Sequence, residues 1–97
     1  MSPEFDVLDQ LEGGPLSYAI IEKIFEGDRR RALRCLSEMS KEGLIALTVD
    51  ETEVPPWQLA EWLRAPFVPT AEANLANCTL RLTHSGLRWI AYGEGRQ

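Results

Sequence analysis

Apolar residues in this sequence follow the 3.6-residue period of an α-helix in five stretches and alternate in a sixth. The first helix is expected to begin at Ser2-Pro3-Glu4 and to end before Gly13-Gly14-Pro15, and Ser17 is suited to cap the second. A short strand with β-branched members follows at 44–49, and an alternating strand follows at 78–82. Thr83 can cap the final helix. The pattern predicts an α+β domain in the order α-α-α-β-(inserted helix)-β-α.

The third predicted helix, residues 28–42, carries the clearest separation of apolar and charged faces. Asp28 is a suitable N-cap, and Gly43 stands where a left-handed residue ends a helix. One face is apolar, with Ala32, Cys35, Leu36 and Met39 in helical spacing. The opposite face carries Arg30, Arg34, Ser37 and Lys41. This helix therefore has a core-facing side and a cationic side.

Between the two predicted strands lie 28 residues, from Asp50 to Asn77, which form an insertion at 50–77. Its start is acidic, and Pro55-Pro56 introduces a helical segment that ends at Ala65-Pro66. A structureless loop of this length is rare in a small domain, so we expect the insertion to pack on something. Its apolar residues suit either the core or a contact with a partner or second subunit: Trp57, Leu59, Trp62 and Leu63.

Charge is distributed unevenly along the chain. The 97 residues suit one domain, 1–97, and their net charge of −5 argues against a protein that binds polyanions over its whole surface. Four of the ten basic residues nevertheless fall within six positions: Arg29, Arg30, Arg31 and Arg34. Arginines at the start of a helix oppose its dipole, a cost that contact with phosphate would offset. The alternative is a solvated face paired with acidic neighbours such as Glu22, Glu26 or Glu38.

The sequence offers no arrangement typical of catalysis or metal binding. Cys35 and Cys78 do not form a metal-ligand pattern, and Cys35 lies on the apolar stripe, where a cysteine acts as a small hydrophobe. His84 stands alone, and the acidic residues 50–53 have no histidine or cysteine beside them. We therefore expect no enzyme activity, cofactor or metal. No apolar run reaches the ~20 residues of a membrane span, so we expect a cytoplasmic protein without membrane contact.

Three short motifs resemble the winged helix-turn-helix DNA-binding domain of the MarR and PadR groups of bacterial transcription regulators. Residues 11–16, LEGGPL, resemble the "L-x-x-G-P-L" at the entry to their helix-turn-helix. Residues 36–45, LSEMSKEGLI, resemble "L-x-x-L-x-x-E-G-L-I", and residues 80–86, LRLTHSG, resemble "Y-x-L-T-x-x-G" where the second wing strand enters the last helix. The motifs occur in the family's order.

The resemblance implies transcription regulation by binding double-stranded DNA, with helix 28–42 in the major groove. Arg30 and Arg34 would then reach base edges or phosphates. The supporting residues would be Ser37 and Lys41 on the same helix, Arg29 and Arg31 on the DNA backbone, and Arg81 on the wing strand.

The chain also departs from the family. Family wings are usually short hairpins with a basic tip, whereas the insertion here is long and begins with acidic residues. Whether it touches DNA or packs on the domain stays open, as does homodimer formation through the terminal helices or the Trp57/Trp62 segment. The alternative function is a winged helix that binds a protein partner, not DNA, through its acidic surface and the Trp57/Trp62 insertion.

Overall fold

Six helices and a four-stranded antiparallel sheet make up residues 3–92, the part of the chain that the computed structural model describes. In chain order the elements are α1 (Pro3–Glu12), β1 (Leu16–Ser17), α2 (Tyr18–Ile24), α3 (Arg29–Lys41), β2 (Ile45–Val49), β3 (Thr52–Glu53), α4 (Pro56–Arg64), α5 (Pro69–Ala76), β4 (Cys78–Leu82) and α6 (His84–Tyr92). None of the helices described is both long enough and apolar enough to cross a membrane. The predicted α+β class is confirmed.

Strand β4 is a central strand of the sheet although it is the last of the four strands in sequence order. The strand order is β1-β4-β2-β3, so β4 pairs with β1 on one side and with β2 on the other. In the β2–β4 ladder Leu47 lies opposite Leu80, and both side chains are fully buried. The alternation predicted for β4 is observed, since Cys78 and Leu80 are buried while Thr79 and Arg81 are exposed. The core is therefore closed by pairing of strands that lie far apart in the sequence, since β4 pairs with both β1 and β2.

Local end signals agree with the observed helices. Asp28 caps α3, its side chain accepting a hydrogen bond from the Arg31 backbone N–H at 3.2 Å. Gly43 ends the same helix with a φ of 76°, the left-handed conformation predicted for it. Ser17 lies at the N-cap of α2, but its side chain makes no capping hydrogen bond. Its backbone instead pairs with Thr79 as part of β1.

The insertion packs on the rest of the domain. Strand β3 returns along β2 through a two-residue turn at Asp50 and Glu51, whose φ angles of 52° and 67° are both left-handed. Helix α4 then packs against α3, and α5 packs against α2. Strands β1 and β3 are not predicted from the sequence, and the insertion contains a second helix, α5, after α4.

This packing corrects part of the predicted partner surface. Leu59 and Trp62 belong to the protein's own core, with exposed fractions of 0% and 5%, because α4 turns them toward α3. Leu63 is partly buried against the same core. Trp57 alone among the four is well exposed, at 65%.

The start of α6 is fastened to the end of α3. The Thr83 hydroxyl donates to the Gly43 carbonyl oxygen at 2.5 Å and accepts from the Gly86 N–H at 3.0 Å, which confirms Thr83 as the cap. The Thr83 N–H donates to the Leu44 carbonyl oxygen at 3.1 Å. Gly86 lies so close to β2 that a Cβ added to it would stand 2.1 Å from the Leu44 carbonyl oxygen. Only glycine fits this junction without a backbone shift.

We expect Gly86→Ala to lower the free energy of unfolding by roughly 1–3 kcal/mol or more, because the new methyl group forces two backbone segments apart. Urea denaturation measures this change. Gly13→Ala is the matched control, since a Cβ there would meet its nearest neighbour, the Gln10 carbonyl oxygen, at an ordinary 3.5 Å. Equal stability of the two variants would contradict the close approach.

Both cysteines are buried, and they form no disulfide. Burial raises the pKa of the Cys78 thiol to about 12, so its reactive thiolate is scarce at pH 8. We expect the native protein to leave both thiols unmodified by a chromogenic disulfide reagent at pH 8, and to release two equivalents of chromophore in denaturant. Rapid modification of Cys78 in the native protein would show that β4 is not packed as described.

Candidate nucleic-acid interface

Helix α3 is exposed only along one narrow line of side chains. Packing against β2 and α4 buries the rest of the helix, and its buried residues are Ala32, Leu33, Cys35, Leu36, Ser37 and Met39. The exposed residues from Arg30 to the C-cap form what we call the α3 ridge: Arg30, Arg31, Arg34, Glu38, Lys41 and Glu42. The ridge carries four cations and two carboxylates, in a chain whose net charge is −5.

The structure corrects the position of Ser37. The sequence placed it on the cationic face beside Arg30 and Arg34, where it would support a DNA contact. Its exposed fraction is only 4%, so the buried face of α3 is wider than its apolar stripe. Ser37 therefore does not belong to the ridge and cannot reach a ligand there.

Three cations of the ridge have no carboxylate partner in the part of the chain that the structure describes. Among the residues that the structure describes, no acidic oxygen lies within 4.0 Å of a side-chain nitrogen of Arg30, Arg34 or Lys41. Glu38 is one turn from Arg34, yet the two form no ion pair. The alternative of a face neutralised by acidic neighbours does not describe these three residues.

Arg29 has a different environment from the arginines beside it. Its Nε lies 3.1 Å from Glu22 Oε1 and its Nη1 lies 3.5 Å from Glu72 Oε2, while Nη1 also donates to the Pro66 carbonyl oxygen at 3.1 Å. Burial lowers the pKa of Arg29, but the hydrogen bond and charge of Glu22 outweigh that effect and raise it overall. The resemblance assigns Arg29 to the DNA backbone, whereas the structure shows its partly exposed guanidinium joining α2, α3 and α5.

A buried hydroxyl lies next to this ion pair. Tyr18 is 3% exposed, and within the described chain its hydroxyl oxygen has no hydrogen-bond partner. Burial, reinforced by the neighbouring Glu22, raises the pKa of Tyr18 well above its usual value. Tyr18, Glu22, Arg29 and Glu72 together line a cleft of about 300 Å³ between α2 and α5. The raised pKa keeps Tyr18 neutral. The cleft is lined by the negative charges of Glu22 and Glu72 and by the positive charge of Arg29.

Two aromatic rings lie under guanidinium groups at the start of α3. The Arg31 guanidinium lies 5.6 Å from the centroid of Phe25, which is buried. Arg29 and Arg30 lie 5.2 and 5.7 Å from the centroid of Phe67, within the range of cation–π attraction. Phe67 is not identified as a site residue from the sequence, because it lies nearly forty positions from Arg29 and Arg30, whose guanidinium groups it contacts. Its local signal is an apolar pair, Phe67-Val68, between Pro66 and Pro69.

The remaining candidate residues lie on other elements. Arg81 is exposed on β4, opposite Ala46 of β2. His84 is exposed at the start of α6, and Asp50 and Glu51 form the exposed β2–β3 turn. Among the described residues, no three His, Cys, Asp or Glu side chains are grouped so that they could hold a metal ion.

We expect Arg29→Met to lower the free energy of unfolding by about 1–3 kcal/mol, because it leaves the half-buried Glu22 and the Pro66 carbonyl without their donor. Arg34→Met is the matched control on the ridge and should stay within about 0.5 kcal/mol of wild type. Chemical denaturation of both variants checks the difference. Similar stability of Arg29→Met and Arg34→Met would contradict a structural role for Arg29.

Comparison with known proteins found no significant match to a protein-family model, a curated protein or a solved structure. A function for this chain therefore has to be argued from its own residues.

Proposed function

We propose that this protein is a small transcription regulator of winged-helix type that binds duplex DNA with α3 in the major groove. The observation that carries the proposal is the α3 ridge, where Arg30, Arg34 and Lys41 are exposed and have no acidic partner within 4.0 Å among the described residues. Exposed cations in line on one helix match the spacing of phosphates and base edges along a groove.

The order of the elements supports the winged-helix assignment. Helices α2 and α3 follow one another through a tight turn at Glu26 and Gly27, which is the order of elements expected for a helix-turn-helix. Strands β2 and β4, which the resemblance assigns to the wing, are antiparallel neighbours, and β4 leads directly into α6. This arrangement holds α3 at the surface with its apolar side toward the sheet.

Electrostatics also favours an anionic ligand on the ridge. Arg30 and Arg34 are one turn apart and repel each other, and arginines near the start of a helix oppose its dipole. Within the described protein, Arg30 and Arg34 have no ion pair that would offset either cost. Phosphates of DNA would supply the missing negative charge, while the overall charge of −5 repels DNA from other surfaces and so favours one orientation.

The ridge residues suit different parts of the duplex. Arg30 and Arg34 have the planar guanidinium that donates two hydrogen bonds to guanine. Lys41 and Arg31 provide charge for phosphates. Glu38, between Arg34 and Lys41 on the ridge, would be repelled by phosphates but can accept a hydrogen bond from the N4 amino group of cytosine. A carboxylate within a cationic ridge therefore favours sequence-selective contact over uniform attachment.

The β2–β3 turn is not suited to extend this contact. Its tip consists of Asp50 and Glu51, both exposed and both repelled by phosphate. In this proposal the ridge supplies the DNA contact, and the acidic tip keeps the hairpin away from the backbone.

We expect wild type to bind mixed-sequence duplex DNA in fluorescence anisotropy, and Arg30→Glu/Arg34→Glu to weaken binding by about 100-fold or more, at ~1–3 kcal/mol per arginine. The slope of log affinity against log salt should also fall by about two. Arg64→Glu/Arg88→Glu is the matched control, since it changes net charge equally at exposed positions on α4 and α6.

Two results would contradict the DNA proposal. One is absence of wild-type binding at low salt and tens of micromolar protein; the other is equal loss of binding in the control pair. A protein-interaction module would then be the better proposal, and the 65% exposure of Trp57 on α4 favours that second function. Trp57→Ala would in that case remove binding of the protein partner.

A further inference from the structure

Phe67 places a large exposed apolar group next to the α3 ridge. Its ring is 56% exposed and comes from the four-residue loop that joins α4, ending at Arg64, to α5, beginning at Pro69. The following residue, Val68, is 44% exposed. Packing of the core does not explain why this apolar surface is exposed beside a row of cations.

Arg29 of α3 anchors the backbone of the loop that carries Phe67. Arg29 donates to the carbonyl oxygen of Pro66, the residue before Phe67, and Pro66 itself is fully buried. Arg29 is in turn held by Glu22 of α2 and by Glu72 of α5. A partly buried polar network therefore holds the backbone next to Phe67, which reduces the conformational freedom that the loop would lose on binding.

The ring lies close to both the partly buried Arg29 and the exposed Arg30. The guanidinium carbon of Arg29 lies 5.2 Å from its centroid, and that of Arg30, the first residue of the ridge, lies 5.7 Å away. A molecule that touches Arg30 on the ridge consequently meets the exposed part of Phe67 as well. The insertion thereby contributes one apolar contact at the N-terminal end of α3.

We propose that Phe67 contacts the 5-methyl group of a thymine beside the position read by Arg30. The thymine methyl is the apolar feature of the major groove, and a phenylalanine ring is among the side chains that pack on it. Arg30 attracts the DNA by its positive charge, and Phe67 provides the preference for a base that carries a methyl group. This inference rests on the proposed binding of duplex DNA, and it assigns Arg29 as the positioning residue of the loop.

The test compares two duplexes of the same mixed sequence, one with thymine and one with uracil at every thymine position. Uracil pairs as thymine does but lacks the methyl group. In fluorescence anisotropy we expect wild type to prefer the thymine duplex roughly fourfold, the effect of burying one methyl-sized group. Phe67→Ala should bind both duplexes equally, with the affinity that wild type has for the uracil duplex.

Control variants separate this contact from general effects. Trp57→Ala removes a comparably exposed aromatic residue and should keep the preference for thymine. Arg34→Ala should weaken binding to both duplexes by the same factor. Phe67→Leu keeps an apolar group and should retain part of the preference, and its thermal unfolding should match wild type because the ring is largely exposed.

The outcomes distinguish this inference from the proposed function. If wild type binds both duplexes with equal affinity, or if Phe67→Ala keeps the full preference for thymine, the Phe67 contact is overturned while DNA binding by the ridge stands. If wild type binds neither duplex, the proposed function fails and the inference fails with it. A preference that is lost in Phe67→Ala and kept in Trp57→Ala supports it.

Discussion

Burial of helix α3 on more than one side is the constraint on which the rest of the structure depends. Leu33 and Leu36 are completely buried, with β2 packed on the helix and α4 against it as well. Burial of two leucine side chains contributes about 3–6 kcal/mol, which fixes the rotation of the helix about its axis. With that rotation fixed, the α3 ridge is the surface that remains. The core therefore decides which arginines face solvent.

Neighbouring arginines acquire different roles from their surroundings. Arg29 is half-buried and bound to Glu22, Glu72 and the Pro66 carbonyl, so it joins three elements of the fold. Arg30, the next residue, is exposed on the ridge, and its guanidinium lies 5.7 Å from the centroid of the Phe67 ring. A partly buried charge is stable only when it is paired, whereas an exposed charge is already solvated. One turn of helix thus supplies both a structural contact and a candidate ligand contact.

The insertion has a place in this arrangement that its composition did not indicate. It begins as a tight acidic hairpin and continues as α4, which packs against α3. It then places Phe67 near Arg29 and Arg30 and ends with α5, which packs against α2. It restricts the exposed surface of α3 and adds an apolar group to one end of it. A segment that lengthens the loop between two paired strands therefore shapes the surface from which the function is proposed.

The sequence by itself determined features that depend on near neighbours along the chain. Asp28 and Gly43 mark the ends of α3, Pro55-Pro56 and Ala65-Pro66 bracket α4, and Cys35 lies on the buried stripe, because caps, prolines and helical period act over a few residues. Features that depend on contacts between residues far apart in the sequence were decided only by the tertiary structure. Strands β1 and β3 have two residues each and exist through their pairing, and Ser37 is buried although it lies outside the apolar stripe of α3. Arg29 meets Pro66 and Glu72 at separations of 37 and 43 residues, and no local pattern in the chain encodes such contacts.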